Sequence, residues 1–279
     1  MASQAITPEL RQWIVQQAAD GRGAQQVLES MQASGWSEDV AIAAMEDSLQ
    51  AHLQAQGMPI PVPVPEPMPE GAGSVLDAGD RKVQVITSMR EPRVLVFADL
   101  ASPEECQALI ELARPRLARS LTVAVDDGSE KQHADRTSSG MFFTRGETEL
   151  VRRLEERMAR LLSWPVQNGE GLQVLQYLPG AQYRPHHDYF DPAELGTPTL
   201  VARGGQRVAT LILYLNEPQC GGATVFPEAR LDVLPKPGHA VFFSYDRPHA
   251  CTRSLHGGAP VIEGEKWIAT KWLREREYF

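Results

Sequence analysis

The sequence is short of cysteine, of positive charge and of long apolar runs, and each shortage removes a class of protein. Its 279 residues include three cysteines, Cys106, Cys220 and Cys251. They stand far apart and lack the paired spacing of a zinc ribbon or disulfide framework, so a reducing compartment is expected. Lysine and arginine number 27 against 36 acidic residues, a formal charge of −9. That balance speaks against non-specific nucleic-acid binding and against anionic membrane surfaces, which select basic proteins. No stretch is apolar for long enough to span a bilayer. The opening Met-Ala-Ser-Gln-Ala-Ile-Thr-Pro has neither a basic flank nor an apolar core, so it does not read as a signal peptide. Together these absences predict a cytoplasmic chain without nucleic-acid or membrane partners. What is present is 42% hydrophobic residues, enough for one ordinary domain and something smaller.

The smaller part comes first, as residues 1–57. Thr7-Pro8-Glu9 reads as an N-cap, a proline at the first helical position and an acid in the first turn. Leu10, Trp13, Ile14 and Gln17 follow at helical spacing. A second helix is expected over Ala24–Ala33, ended by Gly35. Ser37 starts a third, with Val40, Ala41, Ala44, Met45 and Leu49 on one face. The pattern Val-Leu-x-x-Met-x-x-x-Gly-Trp before a helix resembles ubiquitin-associated-type helical domains. Through Gly57 this segment has seven acids and two arginines, a net charge of −5. An acidic three-helix bundle suggests a basic protein partner, or equally a solvated bundle with none.

Residues 58–75 form the clearest boundary. Prolines at 59, 61, 63, 65, 67 and 69 forbid helix and ladder bonds and favour polyproline II, so a semi-rigid spacer is expected. Such a run could also be a substrate or ligand of another chain's site. Residues 76–279 read as α+β. Arg93–Phe97 is a strand, Ser102-Pro103-Glu104-Glu105 caps a helix, and Glu147–Leu162 is a second helix. Asp126-Asp127-Gly128 is a hairpin-turn signal. Short strands follow over Leu172–Tyr177, Gln182–Tyr189, Val208–Leu215, Ala223–Phe226, Ala240–Ser244 and Lys266–Leu273. That spacing predicts a jelly roll, or double-stranded β-helix, with helices packed on one face.

His186 and Asp188 stand two residues apart in a predicted strand, so both should face one side and His187 the other. Imidazole beside carboxylate is half of a metal site, and a second histidine would complete a 2-His-1-carboxylate set. His256 lies downstream, with Lys266 ten residues beyond it. His249 is a rival ligand, although Lys266 follows it by seventeen residues. His52, His133 and His239 fall in a helix, a polar loop and a strand approach. A buried lysine needs an anion, which a dicarboxylate cosubstrate would supply. A zinc hydrolase could use the same three ligands but would have no use for Lys266.

With Gly221-Gly-Ala-Thr-Val-Phe-Pro227, Gln206-Arg-Val-Ala-Thr210, Lys266-Trp267 and Lys271-Trp272, these residues resemble the iron(II)- and 2-oxoglutarate-dependent oxygenases. The likeness is to their prolyl 4-hydroxylase branch and covers about residues 90–279. The resemblance implies His186, Asp188 and His256 as iron ligands and Lys266 as partner of the distal 2-oxoglutarate carboxylate. It implies further cosubstrate contacts from Tyr177 and Thr224. It places Tyr183, Arg207 and Trp272 in the substrate pocket, although an arginine there could instead serve a structural ion pair. It implies Fe(II), 2-oxoglutarate and dioxygen, with L-ascorbate as an accessory reductant, and a prolyl residue in a peptide or protein as substrate. Loops 122–136 and 190–205 would flank the mouth. A hydroxylase of a free amino acid or small metabolite is the alternative enzyme. A non-catalytic peptide-binding jelly roll is the alternative of another class, but it would need neither the ligand set nor Lys266.

Overall fold

A computed structural model describes residues 6–69, 71–119, 122–123, 130–131 and 137–279. The turn signal at Asp126-Asp127-Gly128, His133 and most of the loop 122–136 lie outside these. The chain divides into two compact units, Met1–Pro61 and Val62–Phe279.

The first unit holds α1 (Pro8–Ala19), α2 (Ala24–Ala33) and α3 (Glu38–Ala55). Thr7 Oγ1 accepts from Leu10 N–H at 3.3 Å, as the sequence predicts for an N-cap. Ile14, Val27, Met31, Ala41, Ala44 and Met45 form the shared core. Trp13, expected among them, is 36% exposed.

The second unit begins inside the proline run rather than after it. Val62 N–H donates to Asp246 O at 2.7 Å. Val62, Val64 and Met68 pack against the core, Pro65 and Pro67 are buried, and Glu66 pairs with Arg93. The expected spacer over 58–75 is therefore a strap from Val62 onward. Its prolines deny it helix and ladder bonds, it bends at Pro67 and Met68, and the intervening apolar side chains anchor it.

Beyond the strap come β1 (Val75–Asp77), β2 (Lys82–Met89), β3 (Arg93–Ala98), α4 (Pro103–Ala113), β4 (Ala118–Arg119), β5 (Thr122–Val123), β6 (Glu130–Lys131), β7 (Ser139–Phe143) and α5 (Glu149–Leu161). The later elements are β8 (Leu172–Tyr177), β9 (Tyr183–His186), α6 (Thr197–Ala202), β10 (Arg207–Tyr214), β11 (Cys220–Gly221) and β12 (Thr224–Phe226). The chain ends with β13 (Leu231–Val233), β14 (Ala240–Ser244), β15 (His256–Gly258), β16 (Val261–Glu263) and β17 (Lys266–Arg274). A nine-stranded sheet runs β1-β2-β3-β14-β10-β17-β8-β7-β4, and a four-stranded sheet runs β13-β12-β15-β9.

Every pair in both sheets is antiparallel, so side chains alternate between two faces. On one face, Leu211, Leu213, Phe242 and Trp267 pack against Cys106 and Leu109 of α4 and Leu154 and Met158 of α5. On the other, Leu175, Ile212, Phe243 and Ile268 pack against Phe226 and Val233 of the smaller sheet. This is the jelly roll with helices on one side. Each fully buried Leu, Ile or Phe contributes roughly 1.5–3 kcal/mol. The α4 capping box is complete, with Ser102 Oγ and the Glu105 carboxylate each accepting the other residue's N–H. Among the described residues no helix is long and apolar enough to cross a membrane.

Candidate metal and cosubstrate site

The site lies between the two sheets, where β9, β15 and β17 come together. His256 on β15 pairs in register with His186 on β9, which brings together histidines seventy residues apart. Gly257 makes this pairing possible, since a Cβ there would sit 2.9 Å from Tyr183 O. The strand β9 ends at His186, so Asp188 is not the second residue of a strand face as expected. It lies in a bend with Tyr189 and still converges: Asp188 Oδ1 lies 3.5 Å from His186 Nε2, and Oδ2 lies 3.5 Å from His256 Nε2. One ligand atom from each residue falls within 4.8 Å of the others.

Both imidazoles are held in one tautomer. His186 Nδ1–H donates to Arg184 O at 2.9 Å, and His256 Nδ1–H donates to Ser254 O at 3.0 Å. Each Nε2 lone pair is thereby directed at the shared space, the arrangement that metal-binding histidines require. Burial pushes the His256 pKa down to about 4, so the ring is neutral and able to ligate at neutral pH. Burial alone would raise the Asp188 pKa, but the positive charge that His256 and His186 carry when protonated, together with that of Arg207, holds it well below the usual carboxylate range. Two neutral imidazoles and one carboxylate on one side of a cavity suit a ferrous ion with open positions.

Lys266 opens β17 opposite Tyr177 of β8 and is 3% exposed. Its Nζ stands 5.5 and 5.7 Å from the ring centroids of Tyr177 and Tyr214. Among the described residues no carboxylate pairs with it, and burial lowers its pKa to about 8. Gly222, with φ +73°, lies against its stem, where a Cβ would come 3.2 Å from Lys266 Cδ. Thr224 accepts a 2.8 Å hydrogen bond from Tyr214 O–H. His186, Asp188, His256, Lys266, Tyr177 and Thr224 all line one cavity.

Of the three expected substrate-pocket residues, Tyr183 and Trp272 also line this cavity. Tyr183 stacks on His186 at 3.7 Å between centroids. Arg207 departs from the expectation. Its guanidinium forks onto Glu170 at 2.7 and 2.9 Å and lies 4.1 Å from the Trp272 ring centroid. It is not among the residues that line the cavity, and its planar fork takes the carboxylate that matches it. His187 stacks on Tyr189 at 4.6 Å. His249 accepts from Cys251 N–H at its own turn, so neither histidine joins the ligands. The loop 190–205 is pinned through Gln206, whose side chain bonds both Phe190 N and Phe190 O.

Two residues without an assigned role in the sequence complete the site. Thr210 Oγ1 donates to Asp188 Oδ2 at 2.7 Å and lies 2.9 Å from Tyr245 Oη. Tyr214 shares the Lys266 end. The available signal was a hydroxyl residue at each of positions 210 and 214 inside an otherwise apolar strand.

Residues 172–274 match the 2OG-Fe(II) oxygenase superfamily. Prolyl 4-hydroxylase 5 of Arabidopsis thaliana is 42% identical over 221 residues, covering 72% of this chain and 74% of that protein. Prolyl 4-hydroxylase 2 of the same plant is 40% identical over 216 residues, 69% and 70% of the two chains. A solved structure of viral collagen prolyl hydroxylase from Paramecium Bursaria Chlorella virus-1, in its 2-oxoglutarate complex, superposes with a TM-score of 0.51. That structure is 29% identical and covers 65% of this chain and 95% of its own. The chain belongs to the iron(II)- and 2-oxoglutarate-dependent oxygenases, and its relatives there are prolyl 4-hydroxylases.

Proposed function

We propose that the chain hydroxylates prolyl residues in peptides or proteins, consuming 2-oxoglutarate and dioxygen and releasing succinate and carbon dioxide. The observation that carries this is Lys266: a buried ammonium without a counter-ion among the described residues, in the same cavity as a 2-His-1-carboxylate set. A hydrolase or a peptide-holding module would leave that charge unexplained. The prolyl relatives at 40% identity and above support the substrate class.

His186 Nε2, Asp188 and His256 Nε2 would hold the ferrous ion. When bound, the ion supplies dioxygen activation coupled to 2-oxoglutarate decarboxylation, which delivers one oxygen atom to a C–H bond. The chain's own residues bind, orient and shield. Lys266 would take the distal carboxylate, with Tyr177 and Thr224 beside it. Leu175, Ile212 and Ile268 give that end an apolar wall that excludes water and strengthens the charge pairing. Tyr183 and Trp272 would orient the prolyl ring. Thr210 and Tyr245 fix the Asp188 carboxylate, and Arg207 buttresses Trp272.

L-Ascorbate would serve as accessory reductant. The acidic bundle would recruit a basic protein target. A cytoplasmic location accords with the free cysteines, of which Cys220 and Cys251 are exposed. Succinate release with a proline-rich peptide tests the reading against free proline. The peptide should gain one oxygen and free proline none, and Asp188→Ala should abolish both signals. Oxygen gain by free proline alone would reassign the substrate.

A further inference from the structure

We propose that Pro61 and Pro63 of this chain are themselves acceptors, hydroxylated in trans at the site of a second copy; the proposal rests on the prolyl-hydroxylase reading above. The chain carries six prolines at strict two-residue spacing from Pro59 to Pro69. No helix or strand interrupts them. Residues 58–66 carry no turn or bend either, the first bend falling at Pro67 and Met68. With φ fixed at every second position this stretch favours the extended form a peptide threaded past the cavity must take, so little order is left to impose on capture.

The structure divides these prolines. Pro65 and Pro67 are buried, and Glu66 between them is tied to Arg93. Pro61 and Pro63 are exposed on either side of Val62. Val62 is held by its N–H bond to Asp246 and by its partly buried side chain. Freeing this stretch breaks one backbone hydrogen bond and lifts the partly buried Val62, with Val64 at its end, from the core. Freeing Pro65 or Pro67 would also break the ion pair and uncover the core. Pro69 is exposed, yet the two prolines preceding it are buried, so it offers no free chain upstream.

A chain cannot serve its own strap as folded. Val62, Val64 and Met68 pack on the side of the large sheet that carries Leu211, Leu213 and Trp267. The cavity residues Ile212 and Ile268 point from the opposite side of the same strands. The sheet stands between strap and site, so the acceptor belongs to another copy.

The step balances with the reagents of the proposed activity. A prolyl ring C–H becomes C–OH. Dioxygen gives one atom to that hydroxyl and one to succinate. 2-Oxoglutarate loses carbon dioxide and supplies two electrons, and the C–H bond supplies the other two.

The test incubates full-length chain carrying Asp188→Ala, its fold checked by circular dichroism, with wild-type chain, Fe(II) and 2-oxoglutarate, followed by digestion and mass spectrometry. Isotope-labelled wild-type chain purified free of iron is a second acceptor. A synthetic peptide of residues 58–70 runs in parallel. Both acceptors should gain one oxygen at Pro61 and at Pro63 and none at Pro65 or Pro67, at a rate that rises with chain concentration. If the peptide is hydroxylated while both folded acceptors stay unmodified, the proposal is overturned and the prolyl reading stands. Equal modification of Pro65 and Pro67, or a rate independent of concentration, also overturns it. If no prolyl peptide of any sequence gains oxygen, the reading beneath it fails.

Discussion

Asp188 carries more of the site than any other residue, and much of its support comes from side chains that never reach the cavity. Thr210 bonds Oδ2 at 2.7 Å, leaving Oδ1 to face the shared space. Thr210→Val keeps the shape and removes that bond. It should weaken ferrous-ion binding by about 10–100-fold, read by metal titration with the fold unchanged. At the other end of the cavity, Lys266 has lost water and gained no carboxylate among the described residues, and its burial brings the pKa to about 8. Its folded value lies below the unfolded value of about 10.4. Charging it therefore costs stability, a cost absent above the unfolded value and complete below about 8. Dianion capture has the opposite sign. The dissociation constant for 2-oxoglutarate should climb as pH rises through about 8, and should stay flat across that range in Lys266→Arg, whose guanidinium stays charged. Calorimetry at several pH values checks this, and a wild-type constant that does not move would contradict it.

Among the elements, β17 shows how much the sequence alone reveals. Its period of two sends Lys266, Ile268, Thr270 and Trp272 to the cavity and Lys271 to Glu155 of α5 at 2.5 Å. Both the strand and its inward lysine were legible, as were β8 and β14 at their observed bounds. The register of β15 on β9 was not, because pairing across seventy residues depends on close backbone approach at Gly257 rather than on local pattern. The bend after His186 was equally hidden, since alternation alone extends the strand through Asp188. Arg207 stayed open between two roles in the sequence because a forked cation suits a substrate and an ion pair equally well, and the structure pairs it with Glu170. Arg207→Met should destabilise the unit by about 3 kcal/mol, since Glu170 would keep only Arg274, at 3.2 Å. Urea unfolding measures this.

At the scale of the whole molecule, the division falls at Pro61 and Val62, within the proline run. Proline at every second position reads as a free spacer because composition does not show what the valines between will pack against. Deleting residues 1–61 should leave the unfolding temperature of the remaining unit nearly unchanged. Deleting through Gly73 also removes Val64, Met68 and the Glu66–Arg93 pair, and should lower it by about 5–10 °C, as calorimetry would show. The central claim is that His186, Asp188 and His256 hold one iron beside a cation that grips a dicarboxylate. Its most direct test is anaerobic titration of metal-free chain with ferrous iron and then with 2-oxoglutarate. We expect one iron per chain, lost in His256→Ala, and cosubstrate binding that requires both the iron and Lys266. Undiminished iron binding by His256→Ala, or undiminished 2-oxoglutarate binding by Lys266→Ala, would contradict it.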